Sequence, residues 1–187
     1  MTLYEMKKKI FSLIEELNPQ SEYLTSDPDI QAKINEVINQ VSFELSRTKK
    51  IPKYAEIEVN EGDTVTFSDI EREVGNEVYQ IALVTGALCQ QRANGTVLKF
   101  TSGGVAEIDC FVYPERITEK TKDKAYEFEL SPDVLEVLPY GVAGDLLKSD
   151  VSAEYGSVYS NRYEKMKEML DTRYATPLIT FEGGYNV

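Results

Sequence analysis

Apolar positions recur every three or four residues toward both ends of this chain and every second residue through its middle, two periods that separate helix from strand. Near the start, Met6, Ile10, Leu13, Ile14 and Leu17 fall on one helical face. Thr2 and Glu5 form a T-x-x-E capping box ahead of them, and Asn18 and Pro19 end the run. A second helix is expected after a polar connection, with Asp27 as its cap, Pro28 at the first helical position and Asp29 in the first turn. Its stripe is Ile30, Ile34, Val37, Ile38, Val41 and Leu45. Two helices joined by a short loop cannot bury both stripes alone, so they are expected to pair antiparallel and to take later helices as the other half of their core.

The period changes after the basic loop Ser46 to Lys53. From Tyr54 the chain alternates as YAEIEVN and then TVTF, with Gly62 and Asp63 in the turn between. VYQIALV from Val78 reads as a central strand, while a short helix over residues 78–91 is the alternative. Asn94 and Gly95 predict a hairpin with a type I′ turn. TVLKF and VAEIDCFVYP, joined by a tight connection at Thr101 to Gly104, are expected to pair with each other. Pro114 and the charged run ERITEKTKDK predict an exposed loop, and Tyr126 to Leu130 one more strand.

Helical spacing then returns. Ser131, Pro132 and Asp133 make a strong helix start, followed by Val134, Leu135, Val137 and Leu138 on one face. Pro139 is expected to bend or stop this helix, because it has no amide hydrogen to donate. Val142, Leu146 and Leu147 resume the stripe among Gly141, Ala143 and Gly144, small residues that suit the close approach of another backbone. Val151, Tyr155, Val158, Tyr159, Tyr163, Met166 and Leu170 predict a longer amphipathic helix to about Asp171. The tail ATPLITFEGGYNV can add a last strand to its own sheet or to a neighbour's.

The fold class expected is therefore α+β: a helical bundle formed by the N- and C-terminal segments, with an inserted antiparallel β-rich subdomain. Its parts are the first half of the bundle at 1–53, the insert at 54–130, the second half at 131–172 and an extended tail at 173–187.

Composition narrows the function classes. With 187 residues, 42% of them hydrophobic and 28% charged, the chain can bury a real core. A formal charge of −12 argues against a surface that grips nucleic acid through its phosphates. No run is long and apolar enough for a membrane span, and the N-terminus lacks a leader pattern, so a cytosolic product is expected. The triplet Lys7 to Lys9 reads as a solvated face beside Glu5, Glu15 and Glu16. Without histidine, Cys89 and Cys110 can build neither a zinc finger nor a Cys-His pair, and both are expected as buried thiols.

Candidate chemistry is sparse. Asp145 and Asp150 are five apart and so fall on different helix faces, each placed to solvate a turn or cap a helix. The glycines of TSGG and GVAG match neither a phosphate loop nor a dinucleotide fingerprint, and Ser102 has no base at motif spacing. No catalytic, cofactor-binding or metal-ligating residue is assigned, no cofactor is expected, and an enzyme is the minority reading. Among 12 tyrosines, Tyr140, Tyr155, Tyr159, Tyr163 and Tyr174 gather near the last helices, where half-buried surface rings and subunit contacts both suit them.

The text LEVLPYGVAGDLLKSD at Leu135 to Asp150, the tyrosine-rich SAEYGSVYSNRYEKMKEML after it and a short Gly-Gly terminus resemble head-tail connector proteins of tailed bacteriophages and prophages. The similarity spans Met1 to about Lys53 and Ser131 to Asp171. It implies a structural, non-enzymatic adaptor of the virion neck, assembled in the bacterial host cytoplasm and closed into a ring, about twelvefold if it follows the portal. The implied partners are copies of itself, the portal protein and tail-completion or neck proteins, with DNA passing through unbound and no membrane. The alternative is a β-sandwich binding module of a phage structural protein, holding carbohydrate or a host-surface ligand.

Overall fold

The computed structural model describes residues 1–21, 24–148 and 153–170. Five helices lie among them: α1 (Leu3–Leu13), α2 (Pro28–Thr48), α3 (Phe67–Val74), α4 (Pro132–Leu146) and α5 (Ala153–Glu168). Six strands accompany them: β1 (Ile51–Val59), β2 (Thr64–Thr66), β3 (Val78–Thr85), β4 (Cys89–Arg92), β5 (Val97–Phe100) and β6 (Gly104–Val112). They form two antiparallel three-stranded sheets, ordered β1-β6-β3 and β2-β5-β4.

Local chemistry explains the helix starts. Thr2 N–H donates to Glu5 Oε2 at 2.9 Å, and Thr2 Oγ1 accepts from Glu5 N–H at 3.2 Å, closing the capping box of α1. Asp27 Oδ1 accepts from Asp29 and Ile30 N–H at 2.8 and 3.2 Å, so two free amides of the first turn of α2 are satisfied. In α4, Ser131 is extended but makes no side-chain cap bond, and Pro132 with Asp133 fills the first turn. Pro139 does not stop α4, which runs unbroken from Pro132 to Leu146 with Pro139 buried inside it. Tertiary packing on both sides outweighs one missing backbone bond there. Helix α1 stops sooner than its pattern suggests, at Leu13, because Glu15 takes φ 62°. Ile14 and Leu17 still pack on the core from the turn that follows.

A bundle of terminal helices carrying a separate β-rich insert is not the architecture found. Helix α3 lies in the middle of the chain, among the strands, and touches β1, β2 and β3. The first two helices do not form a hairpin; each packs chiefly on α4 rather than on the other. Nor does the insert keep a core of its own. Ala55, Ala106, Ile108 and Val112 of the first sheet belong to one hydrophobic cluster with Ile10, Ile38, Leu45 and Leu138 of the helices. The protein is α+β with five helices and two small sheets over a continuous core among the described residues.

The strands also differ from expectation in their partners. β6 is the central strand and β3 an edge strand, while β5 pairs with β2 and β4 and not with β6. Asn94 and Gly95 do sit between paired strands, β4 and β5. Their turn is a single 3-10 turn over Ala93–Gly95 with positive φ at Ala93 (49°) and Gly95 (87°), rather than type I′. Tyr126 to Leu130 forms no strand; Glu127 makes one isolated bridge with Thr2. The expected tail strand lies outside the described residues.

Candidate functional site

Three surface features stand out, and the first is built on α2. Asn39, Phe43 and Arg47 recur every fourth residue and so share one face. Asn39 is buried, donating from Nδ2 to the Ile117 carbonyl and accepting from the Ile117 N–H, both at 2.8 Å. That pair fixes the chain leaving β6, which carries Tyr113 and Arg116, against the helix. Phe43 stacks on Tyr113 with centroids 4.8 Å apart, and Tyr79 tilts onto the same ring at 4.8 Å.

Two guanidinium groups flank this aromatic ladder. Arg116 Cζ lies 4.9 Å from the Phe43 centroid and Arg47 Cζ 5.3 Å from that of Tyr113. Arg47 Nε donates to the Tyr113 hydroxyl oxygen at 2.7 Å, and Nη2 donates to it as well. Tyr79 donates to the Ser46 carbonyl at 2.9 Å, and burial pushes its phenol up to about 12, so it stays neutral. The result is a groove of about 410 Å³ with an aromatic floor and two arginine walls. Its carboxylates are Glu44, held by Lys167, and Glu36, at 3.8 Å from Arg116. Among the described residues Arg47 forms no ion pair.

The second feature is the outer face of the first sheet. Tyr54, Glu56 and Glu58 point out from β1, opposite Asp109, Glu107 and Val105 of β6. Glu56 faces Glu107 directly, a like-charge pairing that works against the sheet. Neutral hydroxyls serve both: Tyr54 donates to Glu56 Oε1 and Thr85 to Glu107 Oε2, each at 2.8 Å. The hydrogen bond to Glu56, aided by partial burial and by the charges of Glu107, Glu56 and Asp109, raises Tyr54 to about 12. Among the described residues none of these four carboxylates forms an ion pair.

The third is α5. Gly156, Tyr163 and Leu170 turn inward, and α4 meets α5 where a Cβ on Gly144 would lie 2.6 Å from Ser160 Oγ. The apolar arc continues past what α4 covers: Tyr155 is 69% exposed and Val158 61%, with Met169 just beyond the helix. Tyr159 at the margin donates to the Leu13 carbonyl, tying α5 to the end of α1.

The residues weighed for chemistry are scattered. Asp145 pairs with Lys148 one turn away, and Asp150 lies outside the described residues. Ser102 Oγ accepts from Leu88 N–H at 2.9 Å, a hairpin-tip role. Gly141 and Gly144 pack α4 against its neighbours. Cys110 is buried and Cys89 half-buried, both as free thiols. Lys7 departs from the solvated face expected of it: it is buried, 2.9 Å from Asp123, while Lys9 reaches Glu136 at 2.7 Å. Tyr140 carries Arg162 over its ring at 4.4 Å, and Tyr174 lies outside the described residues.

Among the described residues no group of three or more acidic, cysteine or histidine side chains could hold a metal ion. No helix there is long and apolar enough to cross a membrane. No family model matches the chain, and a comparison with curated proteins gives no match.

Proposed function

We propose that this chain is a non-enzymatic structural protein of a tailed-phage or prophage virion, a head-tail connector that forms a ring at the portal-tail junction. The observation that carries the reading is α5, whose apolar arc exposes Tyr155 and Val158 beside a helix pair already packed through glycine. A rigid helix with an uncovered aromatic edge is suited to side-by-side contact with a second copy. The resemblance of Leu135 to Asp150 and the helix after it to connector proteins points the same way. A net charge of −12 repels the phosphate backbone, so DNA passes without specific binding.

Its partners in this reading are copies of itself, about twelve if the ring follows the portal, with the portal on one side and tail-completion or neck proteins on the other. The test is solution mass by light scattering, with and without a tailed-phage portal protein, followed by electron microscopy. A closed ring, alone or seated on the portal, is expected. A chain that stays monomeric at all concentrations and ignores the portal overturns the reading.

A further inference from the structure

The aromatic groove lies beyond one end of the β1–β6 ladder, and the acidic sheet face is centred further along it. Tyr113 directly follows Val112, which pairs with Ile51 at the start of β1. Glu56 and Glu107 pair five residues further along. At roughly 3.3 Å per residue that separation is about 17 Å, beyond the reach of an arginine side chain. Within the chain Arg116 is shared with Glu36 at 3.8 Å, whereas among the described residues Arg47 and the four carboxylates of the sheet face form no ion pair. Glu44 is held by Lys167, so the groove keeps the Arg47 charge, and the sheet face its carboxylates, for a partner of opposite sign to compensate.

We infer that copies of this chain join head to tail, with the Arg47–Arg116 groove of one taking the acidic face around Glu56 and Glu107 of the next. The proposal rests on the assembly reading above and names the surfaces that would make the contact. Both guanidinium groups lie against aromatic rings, Arg47 on Tyr113 and Arg116 on Phe43, an arrangement that pre-orders them for carboxylates. The Tyr113 hydroxyl holds Arg47 from one edge, so the order is present before a partner arrives. On the opposing surface, arginine would relieve the direct Glu56–Glu107 repulsion, an attraction the isolated subunit lacks. Because the patches differ, the contact is heterologous and closes into a ring when the rotation per subunit allows.

The experiment measures association of the full chain by sedimentation at low and high salt, for the wild type and three variants. R47E/R116E and, separately, E56K/E107K are each expected to weaken association about tenfold or more, and salt to weaken the wild type. E56K/E107K exchanges the glutamate pair for a lysine pair flanked by the opposite charges of Glu58 and Asp109 and is expected to melt close to the wild type, so a folding defect in the arginine variant does not decide the result. The chain carrying all four changes restores opposite charges and is expected to regain association. Unchanged assembly in both double variants, or no recovery in the fourfold one, overturns this inference and leaves the connector reading standing. A wild type that stays monomeric with and without portal overturns both.

Discussion

Gly141 faces the ring of Tyr163 so closely that a Cβ built on it would lie 2.8 Å from Cε2, with Val41 Cγ1 at 2.7 Å on the other side. Helices α2, α4 and α5 meet at this point. Helix propensity favours alanine by about 1 kcal/mol, yet inserting a methyl into a packed core costs about 1–3 kcal/mol. Since both neighbours are core side chains, the steric term wins. G141A is expected to lose about 1–2 kcal/mol in chemical denaturation. At Gly156 the nearest atoms, of Leu147, lie at 3.2 and 3.3 Å, and G156A is expected to be near neutral.

Asn39 is the second point on which the arrangement depends. Both its bonds go to the backbone of Ile117, and all three groups are buried. Truncation leaves an N–H and a carbonyl without partners, each costing about 1–3 kcal/mol. N39A is expected to destabilise by about 2–4 kcal/mol, read from denaturant unfolding. Hydrogen exchange should show the Ile117 amide losing protection before the amides of α2 do. Equal protection in both proteins would mean that the Asn39 bonds do not hold this segment.

What the sequence made legible is what neighbouring residues decide. The Thr2–Glu5 box and the Asp27–Pro28 start need only a few adjacent side chains, and both lie where the pattern puts them. Helix α3 was just as local: Thr66 and Asp69 form a capping box and Gly75, at φ 78°, ends the helix. Its eight residues were hidden because TVTF, which ends on the helix's own first residue Phe67, reads as a strand. Pairing is decided at a distance. The turn at Asn94 and Gly95 is visible, but that β5 continues to β2 rather than to β6 depends on burial of Leu98 and Phe100, not on any turn residue. The groove was hidden for the same reason, since Arg47 and Tyr113 are 66 positions apart. Its one local signal was Asn39, a polar residue beside the apolar stripe of α2 and spaced by four from Phe43 and Arg47.

Acid should loosen α3 through its cap. Asp69 Oδ2 accepts from Thr66 N–H at 2.9 Å and from Thr66 Oγ1 at 2.7 Å, and these bonds hold its carboxyl below the usual carboxylate range. A depressed folded-state value means the contribution is present above the unfolded value, near 3.9, and is lost as pH falls through the folded one. Asp69 is partly exposed, so solvent screening keeps the effect small. D69N is expected to be less stable than the wild type at neutral pH, with the two stability curves converging as pH falls through the lowered value of Asp69. A gap that stays constant through the acid range would assign the effect to something other than the carboxylate.

The two cysteines should separate by reactivity. Cys110 is 1% exposed, and burial, with the nearby Asp109 charge added and Lys53 opposing, pushes its thiol up to about 11. At pH 8 a thiol of that pKa is thiolate in only about one molecule in a thousand, and the sheet denies a reagent access to it. Cys89 is half-buried at the edge of the second sheet, its thiol raised by burial alone. Native protein is therefore expected to modify at Cys89 first with a maleimide or disulfide reagent, Cys110 following only as the structure opens. Denaturant should bring the two rates together, and C89S should leave a native protein with no fast phase. A fast phase that survives C89S would show that β6 opens without global unfolding, and would place the flexibility of this fold at its central strand.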